Sequence, residues 1–223
     1  MASEELSYTL ENELFESGYS SVCGVDEAGR GPLCGPVVAA AVILPRGLEI
    51  EGLNDSKKLT EKKREILYDV ICEKAIAYSI AFGSVEEINE LNILEANLLA
   101  MRRAIDGLSV SADFALIDGN IARDFQIPAR AVIHGDAISP SIAAASILAK
   151  VTRDRLCVEL DRAYPQYGIA KHKGYGTKAH CDALRQYGPS PIHRKLFVRF
   201  LDEPADAVKK TRKKKAANDD SNS

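Results

Sequence analysis

Hydrophobic and polar positions alternate along the chain with periods that mark out five strand-like stretches. Residues 22–26 and 37–44 are apolar and rich in β-branched side chains, and they flank a turn of glycine and proline. This pattern predicts two neighbouring strands. Three further stretches, 78–84, 114–117 and 130–133, have the same apolar, strand-like character. The five stretches are the predicted strands of one sheet.

Between the strands, apolar residues recur at helical spacing. The spacing predicts a helix that starts at Thr60. Ser84 and Glu87 fit a capping box, in which each side chain accepts a hydrogen bond from the backbone amide of the other residue, and a helix is predicted from there to about residue 106. The Ser-Pro pair that opens residues 139–163 is an N-cap followed by a proline at the first helical position, which predicts a long helix.

This alternation of strands and helices predicts an α/β domain. We expect it to span residues 21–202 and to include a small helical extension from about residue 165, with Thr177 as the cap of a short helix. Residues 1–20 are predicted to form a short amphipathic, helical lead-in to the domain that carries no catalytic or binding residues. Residues 203–223 are polar and basic and predict a disordered tail, whose basic run is either solvated or in contact with nucleic acid.

Composition places the chain among globular proteins. Its 223 residues are 46% apolar and carry a formal charge of −3, so a core can form without disulfides or structural metal. The sequence contains no apolar run of about 18 residues and no signal peptide, so membrane insertion and secretion are not expected. The five cysteines are dispersed without a C-x-x-C pair, which favours reduced thiols and a cytoplasmic location. A monomer is the default expectation.

The small net charge hides an uneven distribution. Residues 171–199 contain seven basic residues and one acidic residue, whereas the rest of the chain contains 22 basic and 31 acidic residues. A basic segment with interleaved tyrosines suits a groove that follows a nucleic-acid backbone, although a solvated basic face is the alternative. The basic residues of this segment are Lys171, Lys173, Lys178, Arg185, Arg194, Lys195 and Arg199.

Four carboxylates adjoin apolar stretches at places where glycines let the backbone turn: Asp26, Glu27, Asp118 and Asp136. If the strands lie side by side, these groups form one cluster, and their mutual repulsion calls for a divalent cation. Oxygen ligands favour Mg²⁺ or Mn²⁺, and two such ions about 3.5–4 Å apart would support phosphodiester hydrolysis. The alternative for each residue alone is a turn-forming cap.

Asp26 and Glu27 are adjacent, which raises a geometric difficulty. Neighbouring residues of a regular strand face opposite sides of the sheet, so ligation of one metal centre by both requires a twist or a bulge. Gly24 and Gly29 make such a distortion feasible. The sequence therefore predicts irregular backbone at this end of the first strand.

The glycine-rich turn at residues 29–36 directly follows the acidic pair. It is not a phosphate-binding P-loop, because no Gly-Lys-Ser/Thr follows. It can instead bring bare backbone amides and carbonyls against a substrate beside the metals, and Arg30 is available for a phosphate. A tight loop between strands is the alternative.

Several strings occur in a specific order along the chain: Gly24-Val-Asp-Glu-Ala-Gly-Arg-Gly-Pro32, Asn54-Asp-Ser-Lys-Lys-Leu59, Ile117-Asp-Gly119, Gly135-Asp136, Ser141-Ile-Ala-Ala-Ala-Ser-Ile147, and Tyr164-Pro through Lys173-Gly-Tyr-Gly-Thr177. Together they resemble bacterial ribonuclease HII over about residues 21–200. The resemblance implies a ribonuclease H-like fold, with a central mixed sheet flanked by helices. It also implies cleavage of the RNA strand of RNA/DNA hybrids and incision 5′ of single ribonucleotides in duplex DNA, which leaves 3′-hydroxyl and 5′-phosphate ends.

Carried over position by position, the resemblance implies that Asp26, Glu27, Asp118 and Asp136 are the catalytic, metal-binding residues. It further implies that the backbone of the Gly-Arg-Gly motif senses the 2′-hydroxyl and that a tyrosine stacks on the sugar of the next deoxynucleotide, which fits the role of the 2′-hydroxyl in distinguishing RNA from DNA. These substrate-binding residues are Gly29, Arg30, Gly31 and Tyr175.

Six further residues are candidates for contacts with phosphate or for support of the site: Ser56, Lys57, Ser141, Ser146, Lys150 and Lys173. Ser146 could equally be a core residue that bonds its own helix backbone. Type HIII enzymes carry an extra N-terminal domain ahead of the catalytic motif, and the roughly twenty residues found here favour type HII.

Two other functions remain open from the residues alone. One is another nuclease of the same fold, such as a junction resolvase, which cuts without needing a ribose. The other is a non-catalytic nucleic-acid-binding module, in which the acidic residues only cap turns. A role in ribonucleotide excision repair belongs to the ribonuclease HII interpretation alone.

Overall fold

The structure, a computed structural model, describes residues 6–202, so the predicted tail at 203–223 lies outside the described residues. The strands are β1 (Val22–Ala28), β2 (Val37–Ile43), β3 (Ala77–Gly83), β4 (Phe114–Asp118) and β5 (Ala129–Val132). The helices are α1 (Thr9–Glu16), α2 (Glu61–Lys74), α3 (Val85–Leu91), α4 (Ile93–Asp106), α5 (Pro140–Ala163), α6 (Ile169–His172) and α7 (Lys178–Tyr187).

Within residues 6–202 the strands form one mixed sheet in the order β3-β2-β1-β4-β5. β2 runs antiparallel to both of its neighbours, β1 and β3, whereas β4 runs parallel to both β1 and β5. The predicted α/β architecture with a central mixed sheet is therefore confirmed. Because β1 and β4 are adjacent and parallel, their carboxyl ends lie at the same edge of the sheet.

Helices cover both faces of the sheet. Alternate residues of β2 point to opposite sides: Val37, Ala39 and Ala41 belong to the core under α4, whereas Ala40 and Val42 belong to the core under α5 and α2. A strand that is buried on both faces reads as a continuous apolar run, as β2 does.

Helix α5 lies unusually close to β1. A Cβ atom at Gly24 would overlap the backbone of Ser141, near the start of the helix. Three alanines that follow, at 143–145, are fully buried and also keep the helix near the sheet. α5 has 24 residues, yet no helix in residues 6–202 is both long and apolar enough to cross a membrane.

The C-terminal helical extension packs against the glycine-rich turn and the second half of α5. Its small core contains Tyr167, Ile169 and Leu184, together with Cys34 from the turn and Cys157 from α5. The side chain of Thr177 accepts a hydrogen bond from the His180 amide, so Thr177 caps α7 as predicted.

The single helix predicted from Ser84 to residue 106 is wrong, because the chain forms two helices that meet at Asn92. Its φ of 79° is left-handed, and its side chain accepts hydrogen bonds from the amides of Leu94 and Glu95. Its ψ of 168° places it outside the αL region, in a conformation that is costly for any residue but glycine, and its role as an N-cap offsets that cost. The capping box of Ser84 is present, but it starts α3 only.

The lead-in is helical as predicted, but it has a structural role that we did not expect. Glu11 of α1 is buried and accepts hydrogen bonds from the Ser139 hydroxyl and the Ser141 amide. The carboxylate therefore lies at the positive, N-terminal end of α5, where a negative charge is stabilising.

We expect Gly24→Ala to lower the free energy of unfolding by about 3 kcal/mol, because backbone atoms of Ser141 cannot move aside as a side chain can. Urea denaturation measures the change. Gly176→Ala is the matched control: its added methyl would meet only Leu33 side-chain atoms at 3.5–3.7 Å, an ordinary contact. Equal stability of the two variants would contradict the close packing of α5 on β1.

Candidate active site

Three of the four predicted carboxylates converge through the pairing of parallel strands. Val25 of β1 pairs with Ile117 of β4, so the residues that follow them, Asp26 and Asp118, lie at the same edge. Asp136 arrives on the short 3₁₀ turn Gly135–Ala137 after β5. The Gly135 amide donates to Asp118 Oδ1 at 2.8 Å, which holds this turn against the end of β4.

Glu27 reaches the cluster from the other face of β1. The pairing of β1 with β2 is unbroken through Asp26 and Glu27, so of the two predicted distortions the bulge is absent and the twist stays a prediction. Asp26 faces α5 and lies beside Ser146, while Glu27 faces α4, where Asn97 Nδ2 is 3.4 Å from its Oε2. The role of Gly24 is a different one: because it has no side chain, α5 can pack directly against β1.

The environment disfavours the ionised form of three of these acids. Burial, followed by the charges of Glu27 and Asp118, holds the pKa of Asp26 well above its usual range. Burial also raises the pKa of Glu27, although the Arg30 charge opposes it. The pKa of Asp118 is raised by burial and then by the charge of Asp136. Without a cation, the cluster therefore costs stability when it is ionised.

Only part of this negative charge is matched by nearby cations. Arg30 Nη1 lies 3.4 Å from Glu27 Oε1, and Lys57 Nζ lies 3.2 Å from Asp136 Oδ2. Burial lowers the pKa of Lys57, but Asp136, Asp26 and Asp55 together raise it more. In the described part of the chain Asp26 and Asp118 form no salt bridge, so two carboxylates lack a counter-charge. Their oxygen donors suit a hard divalent cation.

The three predicted serines are buried, where they support other groups. The hydroxyls of Ser56 and Ser146 are 2.8 Å apart, and Ser146 lies beside Asp26, where it opposes the rise of the Asp26 pKa. Ser146 therefore links the Asn54–Leu59 string to the acidic cluster. Ser141 donates its amide to Glu11. Direct contact of these serines with a substrate stays a prediction.

The basic residues expected to contact nucleic acid are in part engaged with the protein. Lys150 pairs with Asp154 at 2.5 Å, and Lys173 Nζ lies 3.9 Å from Glu61. The structure also corrects the picture of the 171–199 segment. Lys178 and Arg185 both pair with Asp182, and the side chain of Arg194 is fully buried. Arg194 therefore cannot line a groove for nucleic acid.

The glycine-rich turn and Tyr175 lie together beside the acidic cluster. Gly29 has a φ of 102°, and a Cβ there would overlap the Arg153 side chain, so glycine is required at this position. A Cβ at Gly31 would lie 3.5 Å from the ring of Tyr175, which is half exposed. The predicted Gly-Arg-Gly motif and the predicted tyrosine are thus neighbours in space.

Sequence reasoning missed Asn97 and Arg194. Asn97 is a buried polar residue within the apolar face of α4, between Ala96 and Leu98, and that interruption was the available signal. Arg194 carried no such signal, because it stands among other basic residues.

The sequence model of the family Ribonuclease HII matches residues 23–200. The chain belongs to the ribonuclease HII family. Ribonuclease HII proteins from two strains of Desulfitobacterium hafniense are each 57% identical over 188 residues, which cover 84% of this chain and 72% of theirs. The chain is therefore a ribonuclease H hydrolase, and the predictions of a junction resolvase and of a non-catalytic module are wrong.

Solved structures agree with this family assignment. The ribonuclease H2 of Pyrococcus horikoshii OT3 matches with a TM-score of 0.68 and 28% identity, over 82% of this chain and 97% of that one. Bst-RNase HIII in complex with Mn²⁺ shares the fold with a TM-score of 0.58 and 20% identity, over 75% of this chain and 63% of that one. The predicted ribonuclease H-like fold is confirmed.

Replacing Asp118 with Asn should lower the cleavage rate by at least about 100-fold, because one of the four carboxylates predicted to bind metal loses its charge. The same change should raise the melting temperature of the metal-free protein, by roughly 2–4 °C if the relief of repulsion is worth about 1 kcal/mol. The raised pKa means that this penalty is absent below about pH 4 and grows as the pH rises. Thermal melts in EDTA from pH 3.5 to 7.5 measure it.

Asp113→Asn is the matched control, because Asp113 precedes the other end of β4. Although burial raises it, the pKa of Asp113 is lowered overall by hydrogen bonds from Ser20 and Ser21. This variant should keep its activity and lose about 1–2 kcal/mol of stability near neutral pH. A stability loss in Asp118→Asn as large as that in Asp113→Asn would contradict the electrostatic account.

Proposed function

We propose that this ribonuclease incises duplex DNA 5′ of a single embedded ribonucleotide and cleaves the RNA strand of RNA/DNA hybrids, leaving 3′-hydroxyl and 5′-phosphate ends. The cofactor is a pair of divalent ions, Mg²⁺ or Mn²⁺, bound by Asp26, Glu27, Asp118 and Asp136. The cellular role is ribonucleotide excision repair. A cytoplasmic location, a monomeric state and the domain bounds stay predictions.

One observation carries this proposal: the carboxylate cluster adjoins the two groups that would recognise a ribose. Glu27 contacts Arg30 of the Gly-Arg-Gly motif, and Gly31 of the same motif faces Tyr175. A phosphodiester held at the carboxylates would therefore place its sugar at the motif. Since only RNA carries a 2′-hydroxyl, these neighbours can restrict cleavage to ribonucleotides.

The acidic residues fit a divalent cation by charge and by free oxygen atoms. Asp118 Oδ1 accepts the Gly135 amide, and Asp136 Oδ2 faces Lys57, so each residue has a second oxygen directed elsewhere. The Mn²⁺ complex of Bst-RNase HIII supports the choice of metal. When bound, the ions would activate water for attack on phosphorus and neutralise the charge that develops on the phosphate oxygens.

Lys57, the Gly-Arg-Gly motif and Tyr175 would position the substrate and select against duplexes without a ribonucleotide. Lys57 is largely exposed, charged at neutral pH and beside Asp136, so it can contact a phosphate oxygen at the cleavage site. Backbone amides of the Gly-Arg-Gly motif can donate to the ribose hydroxyl. The exposed Tyr175 ring can stack on the next sugar, where it disfavours a further 2′-hydroxyl without excluding it. RNA/DNA hybrids and ribonucleotide-containing DNA duplexes are the partners that this arrangement selects.

The direct test is incubation with Mg²⁺ or Mn²⁺ and a labelled DNA duplex that contains one ribonucleotide. We expect incision on the 5′ side of the ribonucleotide, with a 3′-hydroxyl that a polymerase extends, and no cleavage in EDTA. All-DNA duplex and four-way junction are the controls. Cleavage of either control, or binding of the ribonucleotide duplex without cleavage, would rule out the proposed specificity.

Tyr175→Ala should reduce cleavage at the single ribonucleotide by about 10-fold to 100-fold, because a stacking contact worth about 1–3 kcal/mol is lost. Tyr187→Ala serves as the control, since Tyr187 has nearly the same exposure, 53% against 50%, at the end of α7. Single-turnover rates give the comparison. If both variants lose the same activity, Tyr175 has no specific role in recognition.

A further inference from the structure

Arg194 is a buried cation that is bound by carbonyl groups of one short loop. Its side chain is fully buried, and within residues 6–202 it forms no salt bridge with a carboxylate. The guanidinium donates to the carbonyls of Gly29 at 2.7 Å, Arg30 at 3.0 Å, Pro32 at 2.8 Å and Gly35 at 2.9 Å. Burying a guanidinium is costly unless its donors are satisfied, so this exact loop conformation is strongly favoured.

These hydrogen bonds determine the direction of the loop amides. In a planar trans peptide the C=O and N–H groups point in opposite directions. The carbonyls of Gly29 and Arg30 point to the guanidinium, so the amides of Arg30 and Gly31 point away from it. Neither amide donates to a protein acceptor within the described residues. The guanidinium also polarises both peptide groups, which makes the free amides stronger donors.

The residue before Arg194 is connected to the other recognition element, Tyr175. The Ser190 amide donates to His193 Nδ1 at 3.0 Å, which places the proton of neutral His193 on Nε2. That proton faces His180 Nε2 at 3.2 Å, and His180 Nδ1 then donates to the Tyr175 carbonyl at 3.0 Å. Burial lowers the pKa of both imidazoles, that of His193 to about 4, so both are neutral.

The same histidines lie near Cys34, and the donor atoms of the three side chains are within 4.8 Å of one another. In this chain His193 Nε2 carries a proton, and the lone pair of His180 Nε2 accepts it as a hydrogen bond. Neither Nε2 atom therefore offers a free lone pair to a metal. Two buried guanidiniums, of Arg153 and Arg194, also oppose a further cation here. The cluster of Cys34, His180 and His193 therefore supports the glycine-rich turn structurally and does not bind a metal.

We propose that Arg194 is the positioning residue for ribonucleotide recognition: its guanidinium holds the Gly29–Gly35 carbonyls so that the Arg30 and Gly31 amides face the 2′-hydroxyl. This inference rests on the proposed function, since it assigns the recognition step to the same loop. Burial, and then the Arg153 charge, lower the pKa of Arg194 only to about 9, so the guanidinium stays charged at neutral pH. Arg194 touches no substrate in this role and acts through the loop.

The test compares Arg194→Met and Arg194→Lys with the full-length protein, using the single-ribonucleotide duplex and an RNA/DNA hybrid. Single-turnover rate constants are measured at saturating enzyme, and duplex affinity is measured in an Asp118→Asn background without cleavage. We expect Arg194→Met to lower the rate constant by about 100-fold while the reaction still goes to completion, because displaced loop amides lose their alignment. The Kd should change by less than about threefold. Arg194→Lys should restore only a small part of the rate, since an ammonium cannot reach four carbonyls.

Tyr167→Phe is the control for general damage to the same segment. It removes one partly buried hydrogen bond, from the Tyr167 hydroxyl to the Gly188 carbonyl, and leaves the contacts of Arg194 with the glycine-rich turn in place. Its rate constant should equal that of the wild type.

Each outcome decides the proposal. A wild-type rate constant in either folded Arg194 variant overturns the proposal. A lower fraction of active enzyme with an unchanged rate constant also overturns it, because that result indicates only a role in stability. If Arg194→Met does not fold, the rate constant of Arg194→Lys decides. If the wild type cuts the hybrid but not the single ribonucleotide, the proposed function fails, and the hybrid rate constants then decide the role of Arg194.

Discussion

The close contact between α5 and β1 at Gly24 is the constraint on which the site depends. It brings α5 against the lead-in, the acidic cluster and the glycine-rich turn. The start of α5 meets Glu11 of the lead-in, its middle presents Ser146 to Asp26, and its second half places Arg153 against Gly29. A side chain at position 24 would push all of these contacts outward together, because a helix transmits displacement as a rigid element.

The acidic cluster shows how a stable framework tolerates an unfavourable site. Asp26 is almost completely buried, without a salt bridge in the described residues, and its neighbours add negative charge. Such a group persists because the surrounding sheet and helices over-determine its position. The same repulsion would favour the binding of a cation, so the feature that costs stability is also the one that the proposed chemistry uses.

Two buried arginines stabilise the glycine-rich turn by donating hydrogen bonds to backbone carbonyls. Arg153 and Arg194 have no carboxylate partner in residues 6–202, and both donate to backbone carbonyls near the glycine-rich turn. Carbonyl groups of a loop are otherwise satisfied by water, which allows many conformations. A guanidinium with a planar array of donors selects one of them. The glycine-rich turn therefore contacts the acidic cluster through Arg30 and the buried arginines through its carbonyls.

Sequence patterns were sufficient wherever local physics decides structure. The five strands, the long helix behind Ser139-Pro140 and the capping box at Ser84 follow from periodicity and from orphan amides, which a few neighbouring residues satisfy. The split at Asn92 was missed because the helical apolar pattern continues across it. The ordered motifs also identified the family and the four carboxylates, since their spacing is local information.

The sequence by itself therefore determined the fold class, the family and the identities of the acidic residues. The tertiary structure alone decided what each long-range partner does. Arg194 reads as one more basic residue in a segment for nucleic acid, yet it is buried under a loop some 160 positions earlier in the chain. Gly24 reads as the source of a bulge, yet it admits a helix. The physical reason is that burial and hydrogen-bond partners depend on contacts between distant segments, and no local pattern of hydrophobicity or charge encodes them.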